Sequence, residues 1–457
     1  MDAEASDATI QRLIDALGPD AVIADPDRTA SYATDWTGRY AGRPAAVVRP
    51  GDADGVAEVV TVCRERGHPL VPQGGNTGLV GGATPMRGEI VLSTERLSDI
   101  SAVDEDAGQL TAGAGVRIAE VQQMAGEAGW RYGVDLASRD TATVGGTVAT
   151  NAGGLRVLRF GPTRHQVLGV EAVLGTGDVV RRLGGLAKDN TGYDLAGLLC
   201  GSEGTLGIVT QARLALVPAA GEAVTALIGF DDVVRAVRGV GAIRRAVPTL
   251  EAAELVLASG AGLVAEQTGE GSVLESDPPV LVLVEAVGPP DPTDRLGAVI
   301  GSLDGAGEVA VATDPSRAAA LWHVREAHTE AISRIGVPRK YDVTLPGRAL
   351  ASYVDTIAEE VVAVVPDART WLFGHVADGN IHVNVTGVDP TDGEAVDRVV
   401  LGGVVRREGS ISAEHGIGLA KRRWLADDRG AGDLAAMRAI RTALDPDGIL
   451  NPNVLLP

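Results

Sequence analysis

Gln73-Gly74-Gly75-Asn76-Thr77-Gly78-Leu79-Val80-Gly81-Gly82 is the stretch on which the fold turns. Five glycines in ten residues expose a row of backbone N–H groups that a phosphate or pyrophosphate can use. A strand, Pro69–Gln73, leads in, and a second strand, Glu89–Ser93, follows with no helix pattern between them. A Rossmann fingerprint opens into a helix and a P-loop ends in Lys-Ser/Thr, so the stretch is neither. Alone, it reads as a surface turn. Two further loops change that reading. Leu136–Gly154 carries Gly145-Gly146 and Asn151-Ala152-Gly153-Gly154, and Gly201–Gly207 reads GSEGTLG. Strand Val167–Leu174 and the turn Gly175-Thr176-Gly177-Asp178 lie between them. Three separated loops of this kind suit one extended ligand, of dinucleotide length, clasped from several sides.

The 457 residues suggest two or three domains. Hydrophobic content of 45% and charged content of 22% are those of a soluble globular chain. Aromatics are only 3%, so the core must rest on Val, Leu, Ile and Ala. A net charge of −21 argues against nucleic-acid and anionic-membrane surfaces. Apolar runs such as PPVLVLVEAVG fall short of the ~20 residues that span a bilayer. The N-terminus MDAEASDATI lacks a signal-peptide pattern, and Cys63 and Cys200 form no disulfide framework. A reducing, cytoplasmic location is expected.

Near residue 218 the glycine-rich pattern stops. From 221 to 370, strand-like runs (Ala223–Gly229, Val280–Glu285) alternate with helix-like ones (Asp231–Arg245, Pro292–Leu303), which reads as a second, α+β domain. A helix Ser316–Ile332 follows Asp314-Pro315, a good helix start. On it Arg325 and Thr329 share a face at i,i+4 spacing. Lys340 opens the strand-like run RKYDVTLP. Taken singly, all three would be surface residues.

Phe373–Asn384, FGHVADGNIHVN, reads as a hairpin about Ala377-Asp378-Gly379-Asn380. That loop would pair Val376 with Ile381 and His375 with His382. Directly opposite residues share a sheet face with Cβ atoms roughly 5 Å apart, and Asn384, two residues past His382, points to the same face. Two imidazoles so placed can bind one metal ion, zinc above all when thiolates are absent. Further on, Glu414 in Ser412-Ala413-Glu414-His415-Gly416 can add a carboxylate, and three protein ligands with an open position is the catalytic type of site. His415, beside a ligand, is placed to act as a base. On these residues alone a metallohydrolase is the competing reading.

The loops QGGNTGLVGG, TVGGTVATNAGG, DNTGYDL (Asp189–Leu195) and GSEGTLGIVT resemble the FAD-binding domain of the vanillyl-alcohol oxidase / p-cresol methylhydroxylase class. Within that class they are similar to the D-2-hydroxyacid dehydrogenase branch. The resemblance covers nearly the whole chain. It implies an α+β fold: a two-part FAD-binding domain (1–218), an α+β substrate or cap domain with the metal (219–430), and a C-terminal segment (431–457) returning to the flavin. It implies that Gly74, Gly75, Asn76, Thr77 and Gly78, flanked by Pro72 and Leu79, hold the FAD pyrophosphate. It also implies that Ser138, Thr141, Gly145, Gly146, Asn151, Gly154, Glu203, Gly204 and Ile208 line the rest. The quoted loops carry no His, so FAD is expected to be noncovalent.

In this branch GH-x-x-DGN-x-H and EHG-x-G are the metal and catalytic motifs, both intact here. The resemblance gives Zn2+ or another divalent metal on His375, His382 and Glu414, and His415 as the base. Arg325, Thr329, Lys340 and Asn384 then hold the substrate. Val454 stands where many relatives have Lys, so no cofactor role is carried over there. The implied reaction is oxidation of a D-2-hydroxy acid to the 2-keto acid. RKYDVTLP is most similar to members of the branch acting on D-2-hydroxyglutarate, with D-lactate or glycolate as alternatives. The electron acceptor, such as electron-transfer flavoprotein or a quinone, stays open, as does a homodimer.

Overall fold

Helix Ala53–Arg66 shows how the sequence sets the frame. Asp52 caps it by accepting the Gly55 N–H (2.8 Å), and Gly67 closes it in the left-handed region at φ 62°. Val56, Val59, Val60 and Cys63 recur at i, i+3, i+4, i+7 and are fully buried, so this is the face laid on the sheet. The computed structural model describes residues 3–219, 221–269 and 271–457. These divide into two units: one comprises residues 3–154, 161–219 and 414–457, the other 155–160 and 221–413.

The first unit holds two four-stranded sheets and a two-stranded ribbon. In one sheet Ala46–Val48, Ile90–Ser93 and Leu70–Gln73 are parallel neighbours in that order, with Val22–Ile23 antiparallel at the edge. Such near-continuous apolar strands suit a sheet covered on both faces. The other sheet runs Gln109–Gly113, Gly207–Ala215, Val167–Leu174, Val179–Arg181, all antiparallel. The chain's last residues return here: Leu70 N–H donates to Ile449 O, and Asn451 N–H donates to Leu70 O, each at 2.8 Å. The chain re-enters this unit at Glu414, where the sequence reading put the change at 431. The physical reason is a buried carboxylate. Glu203 accepts the N–H groups of Ile417 and Gly418, both at 2.7 Å, and so ties the motif after Glu414 to the GSEGTLG loop.

The second unit is built on one seven-stranded antiparallel sheet. Its order is Ala306–Ala312, Ala223–Phe230, Val280–Val287, Leu250–Leu257, Arg369–His375, Asn380–Thr386, Arg339–Thr344. Leu372, Ile381, Val383 and Val385 form one buried face. Trp371 and Phe373 join a core with Leu263, Leu321 and Ile332 on the other. The short segment Leu155–Phe160 also belongs to this unit, which the sequence did not suggest. Among the described residues no helix is long and apolar enough to cross a membrane.

Two local expectations are corrected. The expected helix Ser316–Ile332 is broken at Ala327 into Pro315–Glu326 and His328–Ile335. The hairpin register is offset by two: His382 faces Phe373, and His375 faces Glu254 on strand Leu250–Leu257. The connection is a turn of 3-10 helix, Val376–Asp378, closed by Gly379 at φ 74°, four residues as expected but placed one residue earlier. Because side chains alternate with period two, an offset of two leaves both histidines on one face; an offset of one would have separated them.

Candidate active site

In the first unit, Gln73 Nε2 donates to Tyr32 O (3.0 Å) and Ala83 O (2.9 Å), which pins both ends of the glycine loop. Asn76 adopts φ 51° and its Nδ2 donates to Thr34 O at 2.8 Å. Among the described residues the backbone N–H groups of 75–79 donate to no other residue. Consecutive unpaired N–H groups form an anion-binding concavity, so Gly75, Asn76, Thr77, Gly78 and the adjoining Leu79 fit a pyrophosphate. A Cβ on Gly75 would collide with the Thr141 carbonyl, so only glycine lets the two loops meet backbone to backbone.

Thr143 caps the short helix Val144–Thr150 by accepting the Gly146 N–H, and a Cβ on Gly145 would strike Ala114. The Ser138 carbonyl accepts from Thr141 and closes that turn at 2.9 Å. Asn151, at φ 50°, accepts the Arg164 N–H through Oδ1. Gly154 N–H donates to Glu414 Oε1 at 2.7 Å. Gly204, at φ 71°, lies beside Pro72, and Ile208 is buried. Glu203 commits its carboxylate to the Ile417 and Gly418 amides, so what it can offer a cofactor is backbone. Burial pushes its carboxyl pKa up, against those N–H groups and Lys421, which pull it down. His415, next to Glu414, is half-buried.

In the second unit one sheet face gathers most of the remaining candidates. His375 and His382 lie edge to face with ring centroids 5.2 Å apart. Each has a buried carboxylate at its Nδ1: Glu254 Oε1 at 2.5 Å from His375, and Asp342 Oδ1 at 3.5 Å from His382. Asp342 is directly opposite His382 in the register and also accepts from Asn380 Nδ2 at 2.9 Å. With a carboxylate hydrogen-bonded at His375 Nδ1 and another 3.5 Å from His382 Nδ1, Nε2 is the nitrogen each ring would turn to a metal, the outer-shell arrangement typical of metal-bound histidine. The pair therefore fits the ligand role expected of it.

Asn384 is 5% exposed, and its Nδ2 has no hydrogen-bond partner among the described residues. A buried donor in that state costs about 1–3 kcal/mol unless something accepts from it. Lys340 is directly opposite Asn384 and half-buried; burial pushes its ammonium pKa down.

Arg325 is buried, with Nε 2.7 Å from Glu254 Oε2 and its guanidinium carbon 4.4 Å from the Phe373 ring centroid. Thr329 does not accompany it. The helix break leaves Thr329 exposed and turns His328 inward, 5.1 Å from Phe373. Burial and Arg325 push His328 down to about 4, so it is neutral. Burial would raise the Glu254 carboxyl, but His375 and Arg325 outweigh it and hold it at about 2.

Glu254, Asp342, Phe373 and His328 were not picked out from the sequence. A charged residue within the apolar run LEAAELVL was the one visible signal for Glu254. Glu414 and His415 belong to the first unit. Ala413 N–H donates to Asp342 O at 3.2 Å within the second unit.

Two family models match the chain. The FAD-binding domain model matches residues 44–182, and that of the C-terminal domain of FAD linked oxidases matches 220–455. The chain is 36% identical to a mitochondrial D-2-hydroxyglutarate dehydrogenase of Bos taurus over 98% of its length and 83% of that protein. It is equally 36% identical to a D-2-hydroxyglutarate dehydrogenase of Xanthomonas citri pv. viticola, over 98% and 96%. Among solved structures, p-cresol methylhydroxylase with substrate bound superposes with a TM-score of 0.78 at 19% identity, covering 99% of this chain and 97% of that one.

Proposed function

The chain belongs to the FAD-linked oxidases of the vanillyl-alcohol oxidase / p-cresol methylhydroxylase class, and from that premise we propose that its substrate is D-2-hydroxyglutarate, oxidised to 2-oxoglutarate with a divalent metal. FAD-linked oxidation of a 2-hydroxy acid is common ground with its relatives. A metallohydrolase has no use for an FAD-binding domain, and that alternative falls. The observation that carries the proposal is the pair His375 and His382, each backed at Nδ1 by a buried carboxylate, beside the unpartnered Asn384 amide.

In this reading His375, His382 and Glu414 hold the metal, zinc or another divalent ion. These residues would hold a metal whose chemistry is Lewis acidity toward a hydroxyl, and the glycine loops would hold a noncovalent FAD whose chemistry is two-electron hydride acceptance. His415 takes the hydroxyl proton on a ring nitrogen. Asn384 donates to a substrate oxygen through Nδ2. Arg325 presents the edge of its guanidinium away from Glu254 to one carboxylate. Thr329, exposed on the following helix His328–Ile335, completes the substrate set in this reading.

Lys340, directly opposite Asn384 in the register, is the cation this reading assigns to a second carboxylate. Lys340→Ala is expected to lower kcat/KM for D-2-hydroxyglutarate by roughly 10–100-fold more than for D-lactate, the worth of one charge-assisted hydrogen bond. Steady-state assays with an artificial acceptor decide this. Equal losses on both substrates would remove Lys340 from the distal carboxylate and favour a monocarboxylate substrate.

Gly153 bears on Glu414. A Cβ there would come 2.5 Å from Glu414 Oε1, the end of a flexible side chain. Gly153→Ala is therefore expected to fold and bind FAD yet to hold metal about 10–100-fold more weakly, as loss of an orienting contact does. Competition with a chromophoric chelator measures it; unchanged affinity would take Glu414 out of the ligand set.

A further inference from the structure

We propose that Glu254 is a positioning residue that sets His375 and Arg325 against each other, an inference that rests on the metal reading of His375. Its carboxylate is shared between two partners from different elements. Oε1 lies 2.5 Å from His375 Nδ1 on the neighbouring strand, and Oε2 lies 2.7 Å from Arg325 Nε on helix Pro315–Glu326. Glu254 is 0% exposed and directly opposite His375 in the register, so its backbone cannot shift without moving that ladder.

A carboxylate only accepts hydrogen bonds, so His375 must carry a proton on Nδ1, and the neutral ring then has its lone pair on Nε2 for a ligand. The same carboxylate takes the Nε edge of Arg325. The guanidinium lies over the Phe373 ring, 4.4 Å from its centroid, and Phe373 is two residues before His375 on the same strand. One side chain thereby fixes the tautomer of a metal-side imidazole and the direction of the anion-binding fork.

A structural ion pair would not control a tautomer, and that difference gives the test. In Glu254→Gln the single amide oxygen is drawn to the charged Arg325 Nε. The amide NH2 then faces His375 Nδ1, which can satisfy it only as an acceptor, with the proton moved to Nε2. The Glu254→Asp variant keeps an acceptor on both sides.

The experiment uses FAD-loaded protein stripped of metal, labelled with 15N-histidine, at one fixed pH. The chain has seven histidines, and the His375 signal is assigned by its loss in His375→Gln. Long-range 1H–15N correlations are expected to show His375 protonated at Nδ1 in the wild type and in Glu254→Asp, and protonated at Nε2 in Glu254→Gln. Zinc affinity, read by chelator competition, is expected to fall about 10–100-fold in Glu254→Gln. The flavin spectrum and thermal melting report whether each variant folds.

A wild-type His375 whose Nδ1 carries no proton overturns the proposal, even if Glu254→Gln cannot be purified. So does a folded Glu254→Gln that keeps the wild-type tautomer. A wild-type protein that binds no zinc or other divalent ion would defeat the metal reading, while the tautomer measurement still decides the role of Glu254.

Discussion

Replacing His382 with alanine is expected to lower the rate of flavin reduction by D-2-hydroxyglutarate by about three orders of magnitude, roughly 4 kcal/mol of the proposed Lewis-acid stabilisation. The flavin spectrum of the resting protein stays as it was. The argument runs through three observations. His382 stands opposite Asp342, which is 1% exposed and lies 3.5 Å from its Nδ1. Its ring is 5.2 Å from those of both His375 and Phe373, so it is held from two sides. The loops proposed to hold the flavin all belong to the other unit, so FAD binding is expected to survive the change. Alanine also opens a cavity, and His382→Gln, closer in volume, should show the same kinetic loss with less effect on stability. Stopped-flow reduction under anaerobic conditions, with metal content measured on the same samples, checks both. A rate within tenfold of wild type would remove His382 from the reaction.

Arg156→Leu is expected to destabilise the second unit by about 3–5 kcal/mol, the cost of leaving buried charge without its partner. Arg156 Nη1 reaches Glu251 Oε2 at 3.0 Å and Glu285 Oε1 at 2.5 Å, and the two carboxylates are 1% and 7% exposed. Glu285 also accepts from Trp322 Nε1 at 2.8 Å and Thr225 Oγ1 at 3.1 Å. For a unit of this size the melting temperature should fall by on the order of 10 °C. Trp322 fluorescence reports on the region directly.

The effect depends on pH in a defined direction. Burial raises the Glu285 carboxyl, but Arg156 and the hydrogen bonds outweigh it, and the folded pKa is depressed. A depressed folded pKa stabilises above the unfolded value, about 4.3 for Glu, and that stability is lost as pH falls through the folded value. The gap between wild type and Arg156→Leu should therefore be full at neutral pH and shrink as the medium is acidified below about 4. A gap that widens in acid would mean that Arg156 acts through something other than Glu285.

Much of this was legible in the chain because it is local. The glycine loops are contiguous, and their demand for bare backbone shows in composition before any fold is known. Val56, Val59, Val60 and Cys63 announce a buried helix face by spacing alone. The two histidines reached one sheet face despite a register wrong by two, since period-two alternation forgives an even error. What stayed hidden depends on distant partners. Glu254 is 71 residues from Arg325 and 121 from His375, and nothing near it in sequence indicates either. The break at Ala327 was hidden for another reason: no Pro or Gly marks it, and burial of His328 decides it. Arg156 was missed because six residues are too few to show a change of unit in composition.

Anaerobic reduction of the flavin tests the central claim most directly. FAD-loaded protein is mixed with D-2-hydroxyglutarate, D-lactate and their L-isomers, with and without a chelator, and the flavin absorbance is followed. Fast bleaching by D-2-hydroxyglutarate, abolished by the chelator and restored by zinc, is the predicted result. Flavin that D-2-hydroxyglutarate fails to bleach, or bleaches just as fast once all metal is removed, would contradict it.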